Sequence, residues 1–251
     1  NTTQNFKYTE DQRLVCFTLA NKIMKTQTII AILTLSSCAF TLAREIKLDK
    51  PSSKLRRFAS DAIFEVEAGD REKYSKRLPE HVIMDWHCTP KQQQLAQKIL
   101  DELFRCTGVS INKPTDPSDQ TAKISIYFGQ QDELTKVAKE IDRKINLNRG
   151  YTYWTWWDEK RTINRAIVLI ATDRVAGDNL EDRMIEQLLG VFGLPAKSNE
   201  INESCFSSDE PVFTSLQPVD KALLEFYYRV IPSGTKPREF DKLFKAHWIK
   251  K

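Results

Sequence analysis

The chain has 251 residues, of which 41% are hydrophobic and 29% charged. That is enough for one good-sized globular domain plus extensions. The net charge of +4 is spread over 38 basic and 34 acidic side chains, and no Lys/Arg block is dense enough to track a phosphate backbone, so no nucleic-acid partner is expected.

Residues 1–23 read as sequence upstream of a targeting signal and stand outside the fold. A signal-like segment covers 24–43. Met24 and Lys25 give it a positive end, and Thr28 to Leu42 is mostly apolar or small. That run is about 15 residues, shorter than the ~20 of a membrane span and suited to a secretory signal. Two processing readings stand side by side. Thr41-Leu42-Ala43 offers small residues to a signal peptidase, so that Arg44 would begin the mature chain. Leu35-Ser36-Ser37-Cys38 reads as a lipobox, with Cys38 carrying lipid. An uncleaved anchor is the third reading. All three lead to export, periplasmic or secreted, with the membrane reached only through the signal segment or a lipid. The exported part keeps Cys88, Cys106 and Cys205. The simplest account is one disulfide, Cys88 with Cys106, tying a helix to the sheet and leaving one free thiol.

Residues 44–79 are a linker and an N-terminal helix. Residues 44–53 are polar and broken by Pro51-Ser52-Ser53; Leu55, Phe58, Ala59, Ala62, Ile63 and Val66 then recur at helical spacing over 54–68. His81 to Trp86 predicts a short strand. Thr89-Pro90 is a helix start, with Thr89 as N-cap, and the apolar face of Leu95, Ile99, Leu100, Leu103 and Phe104 runs to about Cys106. Gly108 caps that helix. A short strand at Val109 to Ile111 and a Pro/Asp/Ser loop over 112–120 follow. Ala122 to Phe128 alternates as a strand, Asp132 to Asn146 is an amphipathic helix, and Tyr151 to Trp157 is an aromatic strand. Ile163 to Ala171 is a mostly apolar strand, central in the sheet. Helices over Leu180–Phe192, Pro218–Val230 and Arg238–His247 finish the chain. The order predicts an α+β fold, with a twisted mixed sheet of about five strands, covering helices and a helical C-terminal part.

The stretch Ile185-Glu186-Gln187-Leu188-Leu189-Gly190-Val191-Phe192-Gly193-Leu194-Pro195-Ala196 has the form of a zinc-protease active-site helix, H-E-x-x-H-x-x-G-x-x-H, without its ligands. With Gly193 at the bend, Glu186 and Gly190 stand at the first two histidines, Gln187 at the catalytic glutamate and Ala196 at the third histidine. Downstream, Leu216-Gln217-Pro218-Val219-Asp220 runs into a helix carrying Leu223-Leu224 and Tyr227-Tyr228, like the matrixin pattern. The chain thus resembles the metzincin-like zinc proteases. From Glu186 through the Ser204-Cys205-Phe206 turn to Gly234 it more closely resembles the bacterial domain-of-unknown-function family 2927. The resemblance covers roughly 80–251 and implies a metzincin-like domain there.

A zinc site needs three protein ligands, and Gly190 and Ala196 carry no donor atom. Gln187 cannot take up a proton near neutral pH. No cofactor is expected. Glu186 is the one candidate catalytic residue, and a hydrolase built around it is the alternative reading. His81, Asp85 and His87 share one face of their strand, which makes His81 and His87 candidate metal ligands, set against a plain polar strand end. Asp173, Asp178, Glu181, Asp182 and Glu186 gather near the start of the motif helix, where its dipole favours acids. Tyr151, Tyr153 and Trp157 point to one side of the aromatic strand, and Trp154 and Trp156 to the other. If the metzincin-like order holds, that strand edges the cleft, where a peptide could pair or a glycan stack. The expected function is therefore a non-catalytic peptide- or glycan-binding envelope or secreted module. A structural lipoprotein accessory factor is a further alternative.

Overall fold

The structure, a computed structural model, describes residues 53–64, 73–111, 121–207 and 212–248. The signal-like segment, Cys38, the predicted end of the first helix beyond Phe64 and the 112–120 loop lie outside the described residues. Among the described residues there are six helices and five strands: α1 (Ser53–Ile63), β1 (His81–His87), α2 (Pro90–Thr107), β2 (Ser110–Ile111), β3 (Thr121–Gly129), α3 (Gln131–Ile141), β4 (Tyr151–Trp157), β5 (Ile163–Ala171), α4 (Asp178–Val191), α5 (Pro218–Val230) and α6 (Pro237–His247).

The fold is α+β, built on one mixed five-stranded sheet in the order β2-β1-β3-β5-β4. β1 runs parallel to β2 and β3, β3 is parallel to β5, and β4 is antiparallel to β5 at the edge. The continuous apolar run of β5 has its cause here: every residue from Ala166 to Ala171 is buried, because the strand is covered on both faces. Period-two alternation sends Val82, Ile124, Ile126, Ala166, Val168 and Ile170 to a front face that packs under α1, α2, α4, α5 and α6. Ile167, Leu169 and Ala171 face the back, where α3 contributes Leu134 and Ala138 to a smaller core. α1 belongs to the main core: Phe58, Ala59 and Ala62 have no exposed surface.

Local signals act as the sequence leads one to expect. The Thr89 Oγ1 accepts from the Gln92 backbone N–H, while the Gln92 side chain accepts from the Thr89 N–H, a full capping box before Pro90. Gly108 ends α2 in the left-handed region at φ 77°. α3 stops earlier than expected, at Ile141 rather than Asn146. Asp142 turns to φ −157° and its carboxylate accepts from the Lys144 N–H, a side-chain turn that competes with the helix. Ile145 and Leu147 still reach the back core, but from a turn.

The segment from Lys73 to Leu78 straps the end of the domain together. Arg77 donates to the carbonyls of Tyr228 and Ile231, Leu78 N–H donates to the Tyr228 hydroxyl, and the Ser75 backbone exchanges hydrogen bonds with Gly234 and Thr235. The Arg77 carbonyl accepts from Ile163 N–H at the start of β5.

Candidate functional site

The motif helix α4 crosses the front of the sheet beside the edge strand β4. Its Glu186 carboxylate is held from two sides. Arg183 donates to it at 2.7 Å, one helical turn away, and the Lys197 ammonium lies 3.7 Å from its other oxygen. Arg183 also lies 3.7 Å from Asp182 and 5.2 Å from the Tyr151 ring centre. Lys197 donates to the Cys205 carbonyl. The ion pair from Glu186 to Lys197 joins α4 to the chain just past the bend, next to Ala196. Gln187 is buried, 4% exposed.

Gly190 has a specific neighbour. A Cβ placed there would lie 2.4 Å from Cε1 and Cζ of Tyr153, so the tyrosine ring occupies the space a side chain at this position would need. Gly193, at φ 84°, is tighter still, because its Cβ would fall 1.6 Å from the Lys76 carbonyl oxygen. That carbonyl also accepts from the Tyr227 hydroxyl at 2.6 Å. The bend glycine is thus required by the strap's backbone as well as by its own conformation.

All seven residues of β4 are partly exposed, and their rings are already in contact with the protein. Tyr151 and Tyr153 pack on the front core; Trp154 and Trp156 pack with α3 on the back. The expected division of the strand into two faces is present. Cations sit on the rings along the strand: Lys76 Nζ is 3.5 Å from the Trp157 ring centre, and the Arg165 guanidinium 4.6 Å from that of Trp156. Arg165 is the direct cross-strand partner of Trp156.

A family model described as "Protein of unknown function (DUF2927)" matches residues 40–246. The chain belongs to the DUF2927 family. No match was found among curated proteins or among solved structures.

The two downstream motifs of this DUF2927 chain meet at a buried carboxylate. Asp220, fully buried, sits at the third position of α5 and closes its capping box by accepting from Gln217 N–H. The same carboxylate accepts from the Ser204 hydroxyl and from Cys205 N–H at 3.1 Å, and Ser204 Oγ accepts from Phe206 N–H. Burial pushes the carboxyl above its usual range, against the lowering effect of these donors. The Ser-x-Phe turn and the Leu-x-x-x-Asp helix start therefore form one structural node.

The other candidates separate in space. His81 and His87 share a face of β1, but they stand at its two ends, about 20 Å apart at the rise of a strand, too far to share a metal. His81 Nδ1 lies 3.2 Å from Ser110 Oγ. His87 stacks on Tyr127 with ring centres 4.0 Å apart and lies 3.2 Å from Asp85. Lys123, hydrogen-bonded to Asp85 at 2.7 Å, holds that carboxyl below its ordinary range. Among the described residues no group of three or more His, Cys, Asp or Glu could hold a metal ion.

The expected Cys88–Cys106 bridge is not formed. Both are free thiols, as is Cys205. Cys88 precedes α2 and Cys106 ends it, so the helix's own length keeps them about 25 Å apart, far beyond disulfide reach. Burial raises the Cys106 thiol to about 11 and the Cys205 thiol further.

Sequence reasoning singled out Glu186 but missed Arg183, Lys197, Arg165 and Lys76. Arg183 was visible as the i,i−3 neighbour of Glu186. The other three are brought in by tertiary packing alone. Gly190 carried a signal of its own, since a glycine inside a helix marks a close approach.

Proposed function

We propose that this DUF2927 chain is an exported, non-catalytic binding module with a metzincin-like fold, and that β4 is its binding edge. Export rests on the apolar 28–42 segment after Lys25. The metzincin-like reading is supported by the placement of α4 across the front of the sheet, by the bend at Gly193 and by the edge position of the strand beside that helix. The absence of chemistry is supported by Glu186, whose carboxylate is ion-paired with Arg183 and Lys197.

The edge position of β4 carries the reading. The strand is hydrogen-bonded to β5 on one side and is antiparallel to it at the end of the sheet, the arrangement that accepts an extended peptide as an added strand. Between the two ligand classes expected from the sequence, this geometry favours peptide. A glycan needs flat rings to stack on, and Tyr153 already packs on Gly190, Trp156 on Arg165 and Trp157 under Lys76.

The test is fluorescence anisotropy of the full chain with a pool of labelled seven-residue peptides rich in Thr and Val and of mixed charge. Saturable binding is expected, and N-methylation of alternate peptide nitrogens should weaken it at least about tenfold, because strand addition relies on main-chain hydrogen bonds. Absence of binding, or equal binding of the methylated pool, removes the reading. Displacement by neutral oligosaccharides would turn it towards glycan.

A further inference from the structure

We infer that the extended segment taken up by β4 is β4 of a second copy of this chain, paired antiparallel about a two-fold axis at Trp154. This rests on the strand-addition reading above and names its partner. The ladder with β5 sets which backbone groups face outward. Ala171 N–H donates to the Gly150 carbonyl at one end of the strand, and Asp158 N–H donates to the Thr162 carbonyl at the other. The alternation of an antiparallel pair then turns Thr152, Trp154 and Trp156 towards β5, and Tyr151, Tyr153, Thr155 and Trp157 towards the outer edge. The Tyr153 carbonyl accepts from Thr152 Oγ1 at 3.4 Å, so the pairing is anchored on Tyr151 and Trp157. Tyr151-Thr152-Tyr153-Trp154-Thr155-Trp156-Trp157 has no charge, proline or glycine to blunt this edge, and all seven residues are strand formers and partly exposed.

Charge at the two ends of the strand selects the occupant. With Trp154 opposite Trp154, the outward backbone of Tyr151 meets the outward backbone of Trp157 in the second copy. The same register sets Arg149, in the turn before β4, opposite Glu159 of the second copy, in the turn after it, and symmetry makes this happen twice. Arg149 and Glu159 are both exposed, and neither has an ion-pair partner among the described residues. Asp158, which keeps its charge while accepting from Thr162 N–H, comes opposite Gly150. Arg174 packs over that glycine, with its Cβ 2.6 Å from where a Gly150 Cβ would stand. Lys160 faces the uncharged Asn148. Arg183 beside Tyr151 is already balanced by Glu186 and Asp182, so Lys76 on the Trp157 ring meets no bare like charge there. Slipping the register by two residues keeps the backbone match but sets Arg149 opposite Arg161 in one direction and Trp157 in the other. A parallel arrangement would set Arg149 beside Arg149 and Glu159 beside Glu159. The basic entry and acidic exit of β4 are thus complementary to themselves in one orientation and one register.

A seam of about seven residue pairs, about 24 Å long, places this dimer among weak interfaces. Sedimentation velocity of the full chain over about a hundredfold range of concentration is expected to show a monomer–dimer equilibrium. Arg149→Glu alone and Glu159→Arg alone should each weaken association at least about tenfold, because each sets two like-charge pairs in the seam. An equimolar mixture of the two variants should restore it, since every Glu then meets an Arg. Both positions are exposed, and melting curves confirm that the variants fold. Thr155→Pro, which removes an outward N–H while leaving the ladder with β5 intact, should weaken the native dimer as well. A dimer that is indifferent to the charge reversals, or a mixture that stays monomeric, overturns the proposal. A chain that is monomeric throughout but binds the mixed peptide pool overturns the second-copy assignment and leaves strand addition standing. A monomer that binds no peptide removes both.

Discussion

Gly193 shows how much a single missing Cβ can decide. Its φ of 84° already disfavours any other residue, and the strap's Lys76 carbonyl occupies the place a methyl group would take, 1.6 Å from an ideal Cβ. A backbone atom cannot swing aside as a side chain tip does. The strap would have to lift, breaking the Tyr227-to-Lys76 hydrogen bond and disturbing the Arg77 contacts to Tyr228 and Ile231. Gly193→Ala should therefore cost about 3–5 kcal/mol, combining left-handed strain with loss of a buried hydrogen-bonded contact. Urea unfolding of the variant measures this. A loss below about 1 kcal/mol would mean that the strap does not press on the bend, as left-handed strain alone would cost about that much.

At the scale of elements, the node at Asp220 joins α5 to the Ser204–Phe206 turn. Its carboxyl is raised by burial, so its protonated form is favoured in the folded state. The sign follows from linkage: such a group gives its full stabilisation below the unfolded value of about 3.8 and loses it as pH rises through the folded value. Asp220→Asn removes the titration. It also sets an NH2 group either against the Cys205 and Gln217 N–H groups, which share one oxygen, or towards Ser204 Oγ, which must then accept instead of donate, so it should destabilise the domain at pH 7 by about 1–3 kcal/mol. The difference between the native chain and the variant should widen as pH falls from 7 towards 4. Melting at several pH values decides it, and a constant difference would show that the folded carboxyl is not raised. The turn and the helix start were both legible in the sequence as separate motifs. Their meeting was not, because Ser204 and Asp220 are 16 positions apart in sequence and only the fold closes that gap. The element bounds fared better. Capping residues such as Thr89, Gly108 and Pro218 act within a turn of themselves, so sequence shows them directly. The early end of α3 was missed because the apolar spacing continues through Ile145 while Asp142 has already left the helix. The rejected Cys88–Cys106 bridge was an error of the same kind: the predicted helix between them already fixed a separation that a disulfide cannot span.

At the scale of the whole molecule, the metzincin-like reading proposed above bears on packing as well as on ligands. On that reading, histidine at 186, 190 and 196 would supply the three ligands. The position of β4 against α4 says that they would not suffice. The Tyr153 ring lies where a side chain at 190 must project, with carbons 2.4 Å from the Cβ position, and the ring is fixed to the sheet by the strand's pairing with β5. Glu186 and Lys197 already join α4 to the chain past the bend, the two segments that such a site would bridge. Replacing Glu186, Gly190 and Ala196 with histidine should therefore yield a destabilised chain with no tight zinc site, since a ligand forced off its rotamer cannot complete a tetrahedral set. Adding Tyr153→Ala clears the space and should recover both folding and zinc uptake. Calorimetric zinc titration of the two variants separates the cases. Tight zinc binding by the triple-histidine chain with Tyr153 intact would show that the ring yields easily and that only ligands are wanting. Binding that needs Tyr153→Ala would show that the Tyr153 ring fills the space a ligand at 190 needs, in keeping with the proposal that the outer edge of β4, rather than its helix side, meets a partner.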